Sequence, residues 1–136
     1  KPMAQSKIMK ADELDVVQRG DGVETAVLVS NKTCGANTTS GTTSFPKGTK
    51  VPVHQHNCDE QVVLLEGDAE VEIDGVCARI KPMDTVFVEA CTWHRFVNMG
   101  DGPMKILWVY DSPEVTRTFQ ESGETVGHLT GGDKVN

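Results

Sequence analysis

Residues 48–67 read GTKVPVHQHNCDEQVVLLEG, and this stretch decides the fold. Two short strand-like runs lie within it, Lys50 to His56 and Glu60 to Glu66. The polar triplet Asn57-Cys58-Asp59 separates them as a turn. On a strand, the period of two places His54 and His56 on one face. Glu60 opens the next run, and the spacing predicts a hairpin that returns its carboxylate beside the two imidazoles.

The same texture extends outward in both directions. Upstream, Pro46-Lys47-Gly48 is a turn, preceded by a Thr- and Ser-rich stretch from Asn37 to Phe45. Val23 to Ser30 alternates Val23, Thr25, Val27 and Val29 on one face. Downstream, Gly67-Asp68 turns the chain. Ala69 to Ile73 then pairs with Val76 to Ile80 across Asp74-Gly75, the strongest hairpin signal in the sequence. Lys81 to Asp84 and Glu89 to Thr92 are turns around a strand from Thr85 to Val88. Trp93 to Asn98 and Met104 to Tyr110 complete the series, with His94 just after a turn and able to approach from across a barrel. Some eight to ten short strands at this spacing read as an all-β sandwich or barrel. Ala11 to Gln18 reads as a short helix or an edge strand, Glu114 to Phe119 as an edge strand, and Gly131 to Asn136 as a frayed end.

Composition narrows the function classes. The 136 residues suit one domain, and the formal net charge of -7, with no basic patch, argues against a nucleic-acid partner. No apolar run approaches the roughly 20 residues of a membrane span, and Lys1 to Lys10 lacks the apolar stretch of a signal peptide. Cys34, Cys58, Cys77 and Cys91 form no C-x-x-C pair and read as free thiols in a reducing, cytoplasmic setting, with Cys58 and Cys91 as packed thiols.

Three imidazoles and a carboxylate suit a divalent transition ion, among Mn, Fe, Co, Ni and Zn. Four protein ligands on a six-coordinate ion leave two positions open, which distinguishes a catalytic site from a closed structural one. The competing reading of a bare His-x-His pair is ordinary polar surface. Glu60 and His94 move the balance toward a metal held by His54, His56, Glu60 and His94. If Glu60 and His94 point inward, then Val62, Leu64 and Phe96 share their faces and give the ion an apolar wall, while Trp93 and Arg95 face away. Ile106, Trp108 and Tyr110 share one face of the last strand and read as packing. His128 lies in the polar tail without evident partners and reads as solvated surface.

These residues resemble the cupin superfamily. Its first motif, G-x5-H-x-H-x3-E-x6-G, runs here from Gly48 through His54, His56 and Glu60 to Gly67 with every spacing met. Gly75, Pro82, His94 and Asn98 resemble the landmarks of the second motif, which Asp84 and Cys91 depart from without removing a ligand. The resemblance covers Ala36 to Tyr110. It implies an RmlC-like double-stranded β-helix, or jelly roll, with residues 1–35 as N-terminal strands and arm, 36–111 as the barrel and 112–136 as a polar tail with an edge strand. It further implies a homodimer and one divalent metal (Fe, Mn, Ni or Zn). The expected function is a metal-dependent dioxygenase or lyase acting on a small molecule, with Glu60 also taking a proton. The alternatives are a non-catalytic small-ligand or sensor protein and, third, a sugar isomerase or epimerase. The last ranks low because Arg79 and Arg95, the arginines of the central strands, do not cluster.

Overall fold

The computed structural model describes residues 3–130 and 133. Two six-stranded antiparallel sheets enclose one core, in the orders β1-β2-β3-β10-β5-β8 and β12-β11-β4-β9-β6-β7. The strands are β1 (Val16–Gln18), β2 (Glu24–Val29), β3 (Thr39–Phe45), β4 (His54–His56), β5 (Glu60–Glu66) and β6 (Ala69–Ile73). They continue with β7 (Val76–Ile80), β8 (Thr85–Val88), β9 (His94–Asn98), β10 (Met104–Tyr110), β11 (Thr116–Phe119) and β12 (Thr125–Gly127). This is the jelly roll expected from the sequence. None of the helices among the described residues is long and apolar enough to cross a membrane.

Strict alternation builds the core. On β10, Met104, Ile106, Trp108 and Tyr110 are buried, and the residues between them are half-exposed. On β5, Glu60, Val62 and Leu64 face inward, and Gln61 faces out. Phe45, Phe96, Val51 and Val88 fill the space between the sheets. Burying each large apolar side chain contributes about 1.5–3 kcal/mol, which lets the barrel carry a polar site at one end.

The β6–β7 hairpin closes through Asp74 and Gly75, both with positive φ (48° and 80°), as a type I′ turn requires. Gly67, the end of the 48–67 stretch, has φ +98°, and a Cβ there would lie 2.6 Å from the Pro103 carbonyl oxygen. Only glycine fits that corner.

Several expectations are corrected or refined. Lys50 to His56 is not one strand. Lys50 makes an isolated bridge to Val97, and the ladder resumes only at His54. Pro52 lacks the N–H that a continuous ladder needs. Ala11 to Gln18 is both of the alternatives considered, a 3-10 turn at Ala11–Glu13 followed by edge strand β1. The third concerns the C-terminal region. β11 is not an edge strand, because it lies between β12 and β4. Of the expected frayed end, Asp133 is fully buried, and residues 131–132 and 134–136 lie outside the described residues. All four cysteines are unpaired; Cys34 and Cys58 are buried, whereas Cys91, expected to be packed, is exposed on a turn.

Candidate metal centre

His54 and His56 project inward from β4, at 3 % exposure each. His94, at 1 %, stands directly across the β4–β9 ladder from His54. It is therefore a neighbour in the same sheet, not an approach from across the barrel. Glu60, at 4 %, does the crossing instead. β5 belongs to the opposite sheet, where Glu60 pairs with Tyr110 and Val88, so no hairpin returns it beside β4. The triplet 57–59 carries the chain from one sheet to the other. Asn57 is pinned at both ends of its amide, donating to the Glu114 carbonyl and accepting from the Thr116 N–H. Asp59 accepts the Ala90 N–H, and the His56 carbonyl accepts that of Cys91.

The four side chains converge. The three histidine ligand atoms lie within 4.8 Å of one another, and the three histidines can hold a metal ion. Glu60 Oε1 is 3.1 Å from His94 Nε2 and 3.7 Å from His56 Nε2. Each imidazole has its Nδ1 against a backbone carbonyl: His54 on Pro52 at 2.7 Å, His56 on Thr116 at 3.0 Å and His94 on Thr92 at 2.8 Å. A carbonyl only accepts, so each Nδ1 carries the proton. In the neutral ring, Nε2 is then left as an inward lone pair, the arrangement found behind metal-bound histidines.

Electrostatics favours neutral rings at His54 and His56. Burial drives the His54 pKa well below its usual value, reinforced by the Arg117 charge. Burial likewise lowers His56 to about 4, although Glu60 opposes the shift. Burial alone would raise Glu60, but the hydrogen bond with His94 and the charges around it outweigh burial and keep the carboxyl ionised. Two acceptors 3.1 Å apart, His94 Nε2 and a carboxylate oxygen, need a positive charge between them: one proton, or a cation in its place. A donor set of three imidazole nitrogens and one carboxylate oxygen fits a divalent transition ion.

The same cavity has a second end that sequence reasoning missed. Its volume is about 30 Å³, room for about two waters. Besides the four residues above it is lined by Phe45, Val51, Phe96, Ile106, Trp108 and Tyr110, and by Arg19, Arg117 and His128. His128 is not solvated surface. Its ring packs 4.9 Å from Tyr110 and 5.1 Å from Trp108, and burial and Arg117 hold its pKa well below normal. Arg19 donates to Thr25 Oγ1, Thr25 meets Thr43, and the Trp108 indole N–H donates to Thr43, so a buried polar chain ties the guanidinium to the core. Tyr110, expected as packing only, also donates its hydroxyl to His56 Nε2 at 3.2 Å. Arg79 and Arg95 sit outside, paired with Asp68 and Glu72. The arginine cluster exists, but at positions 19 and 117, and no local pattern in the sequence marks either.

Comparison with known proteins agrees with the fold. A family model described as the cupin domain matches residues 41–110. An uncharacterized protein of Methanocaldococcus jannaschii is 33% identical over 63 residues, which cover 46% of this chain and 50% of that protein, so the chain spans about half the length of this relative. Among solved structures, an RmlC-like cupin from Shewanella frigidimarina has a TM-score of 0.69 at 23% identity, covering 82% of this chain and 95% of that one. A sugar phosphate isomerase of a cupin superfamily from Silicibacter pomeroyi has a TM-score of 0.72 at 19% identity, covering 96% and 97%. Bacillus subtilis oxalate decarboxylase, described with Mn(II) centers, has a TM-score of 0.66 at 17% identity, covering 74% of this chain and 29% of that one.

Proposed function

The chain belongs to the cupin domain family, and on that premise we propose that it is a metal-dependent enzyme, of lyase or dioxygenase type, acting on a small organic molecule through an oxygen atom of the substrate. His54, His56, Glu60 and His94 are the proposed ligands. The observation that carries this reading is the pinning of all three Nδ1 atoms on backbone carbonyls. It turns three Nε2 atoms and one carboxylate toward a single point in a small enclosed cavity.

When bound, the ion supplies Lewis acidity toward a carbonyl, enolate or carboxylate oxygen and, as iron, dioxygen chemistry. The chain's own residues do the rest. Val51, Phe96 and Ile106 exclude bulk water and strengthen every charge interaction inside. Glu60, ionised and enclosed, accepts a proton from the substrate. Tyr110 holds its proton, since burial raises its pKa well above normal, and offers a neutral O–H beside His56. Arg19 and Arg117 also favour a second reading, an isomerase for an anionic sugar, because such substrates need buried cations.

Elemental analysis of the purified protein tests the first reading. One equivalent of Fe, Mn, Ni or Zn is expected, lost in His54→Ala and His56→Ala while the barrel stays folded. Unchanged metal content in both variants overturns the ligand assignment. Oxygen uptake on diketones, phenols and thiols then separates the dioxygenase from the lyase.

A further inference from the structure

The chemistry above uses one end of the cavity. At the other, Arg19 and Arg117 are 2 % and 4 % exposed. Arg117 is the register partner of His56 across the β4–β11 ladder, so guanidinium and imidazole rise from one face. Both arginines converge on Asp133, whose side chain is fully enclosed: Arg19 Nη2 and Arg117 Nε each lie 3.2 Å from Oδ1. Asp133 Oδ2 accepts the Leu129 N–H at 2.6 Å, and the Arg19 Nε–H donates to the Asp133 carbonyl.

This pairing leaves donors unused. Among the described residues, Arg19 Nη2 and Arg117 Nε and Nη1 lack a hydrogen-bond partner of sound geometry, as does Asp133 Oδ1. A buried guanidinium with idle N–H groups is costly, and its planar fork matches a carboxylate taken by both oxygens. One oxygen shared by two forks does not meet that match. The charges point the same way. Two guanidiniums and two carboxylates, Glu60 and Asp133, balance; a divalent ion then leaves a surplus of two positive charges in a water-poor space.

We propose that Arg19 and Arg117 form a carboxylate-binding subsite for the ligand of this cavity, and that Asp133 occupies it as an internal stand-in that the ligand displaces. The ligand class is a small organic acid with one carboxylate on the guanidinium pair and an oxygen donor directed at the histidines. The second contact rests on the metal reading; the first does not. The cavity that the two arginines line, about 30 Å³, has room for water but not for an organic acid, so the subsite opens to a ligand only when the guanidiniums leave Asp133. A tethered competitor weakens every free carboxylate by the fraction of time it occupies the seat.

Calorimetric titration of metal-free full chain with malonate tests this. Asp133→Asn, which removes the competing charge and keeps the shape, binds malonate at least tenfold more tightly than the parent. Adding Arg117→Gln to that variant abolishes the gain. Equal affinity in parent and Asp133→Asn, or a gain that survives Arg117→Gln, overturns the subsite. Hydrogen exchange on the parent keeps the test decisive should Asp133→Asn fail to fold. Malonate at 20 mM, on the order of typical weak-site concentrations, speeds exchange of the Leu129 amide by removing its acceptor; unchanged exchange overturns the proposal. A parallel titration with inorganic phosphate that gains where malonate does not also overturns it. Failure of the metal reading appears separately, as absent metal in a chain whose malonate titrations are unaffected.

Discussion

One end of the cavity offers lone pairs and the other offers N–H groups. His54 and His56 present Nε2 lone pairs and His94 and Glu60 a gap that one proton or a cation fills, whereas Arg19 and Arg117 crowd around one carboxylate with donors to spare. The first end wants a cation and the second an anion. They share a wall, Tyr110 and His128, and a ladder, because Arg117 stands opposite His56. The difference teaches that the barrel is polarised across a few ångströms. It also shows that Arg19 on one side of the sequence and Arg117, His128 and Asp133 on the other complete a site whose other half comes from the middle.

The sharpest way to break the comparison is to delete a lone pair. His94→Ala is expected to cost at least a hundredfold in affinity for Zn or Mn, more than the 10–100-fold typical of losing an outer partner of a metal ligand. Arg117→Met in the same assay shifts metal affinity far less and in the opposite direction, since it removes a like charge. A chelator competition titration reads both. Similar losses in the two variants would mean the two ends are not electrostatically distinct.

Deleting the anion at the other end comes next. Asp133→Ala leaves two buried guanidiniums facing each other, and breaking a buried pair in this way costs about 3–5 kcal/mol. Urea unfolding is expected to show that loss without any fall in metal content. A loss below about 1 kcal/mol would mean that Asp133 is solvated and not enclosed between the guanidiniums.

The two ends also differ in how far the sequence reveals them. His54, His56 and Glu60 lie within seven residues, so strand period and one turn place them in a single constellation. Even there the partners were exchanged. The motif spacing implied a hairpin between the β4 and β5 runs, yet Asn57 and Asp59 anchor a crossing between sheets, and the hydrogen bonds that decide this come from residues 90, 114 and 116. Arg19, Arg117, His128 and Asp133 carry no such local pattern. Arg19 to Asp133 is a contact over 114 positions, fixed only once both sheets have formed. The tail reads as polar and loop-like because the groups that enclose Arg117, His128 and Asp133 come from elements distant in sequence.

Acid separates the ends by a smaller amount. His56 has a folded pKa of about 4 against an ordinary 6.5. Between those values the unfolded chain binds a proton that the folded chain refuses, so stability is present above pH 6.5 and is lost as pH falls toward 4. The depression corresponds to about 3 kcal/mol, and burial moves His54 and His128 in the same direction. The guanidiniums keep their charge throughout that range. Urea unfolding of the metal-free protein at pH 7, 5.5 and 4.5 should therefore show a steep decline at the histidine end. Flat stability over that interval would mean the imidazoles are hydrated and not enclosed.

The smallest effect probes the shared wall. The Tyr110 hydroxyl donates to His56 Nε2, the same lone pair that a metal would use. In the metal-free chain this bond is worth about 1 kcal/mol, and metal binding must first break it. Tyr110→Phe therefore lowers metal-free stability by about that amount and raises metal affinity by at most about fivefold. The opposite signs matter more than the sizes. A purely structural tyrosine would weaken both, because a loosened wall misplaces His56. A hydroxyl that competes for the lone pair weakens one and strengthens the other. Paired urea and chelator titrations on one variant distinguish the two cases. Weaker metal binding in Tyr110→Phe would show that the hydroxyl supports the loaded site, and the wall would then belong to the cation end alone.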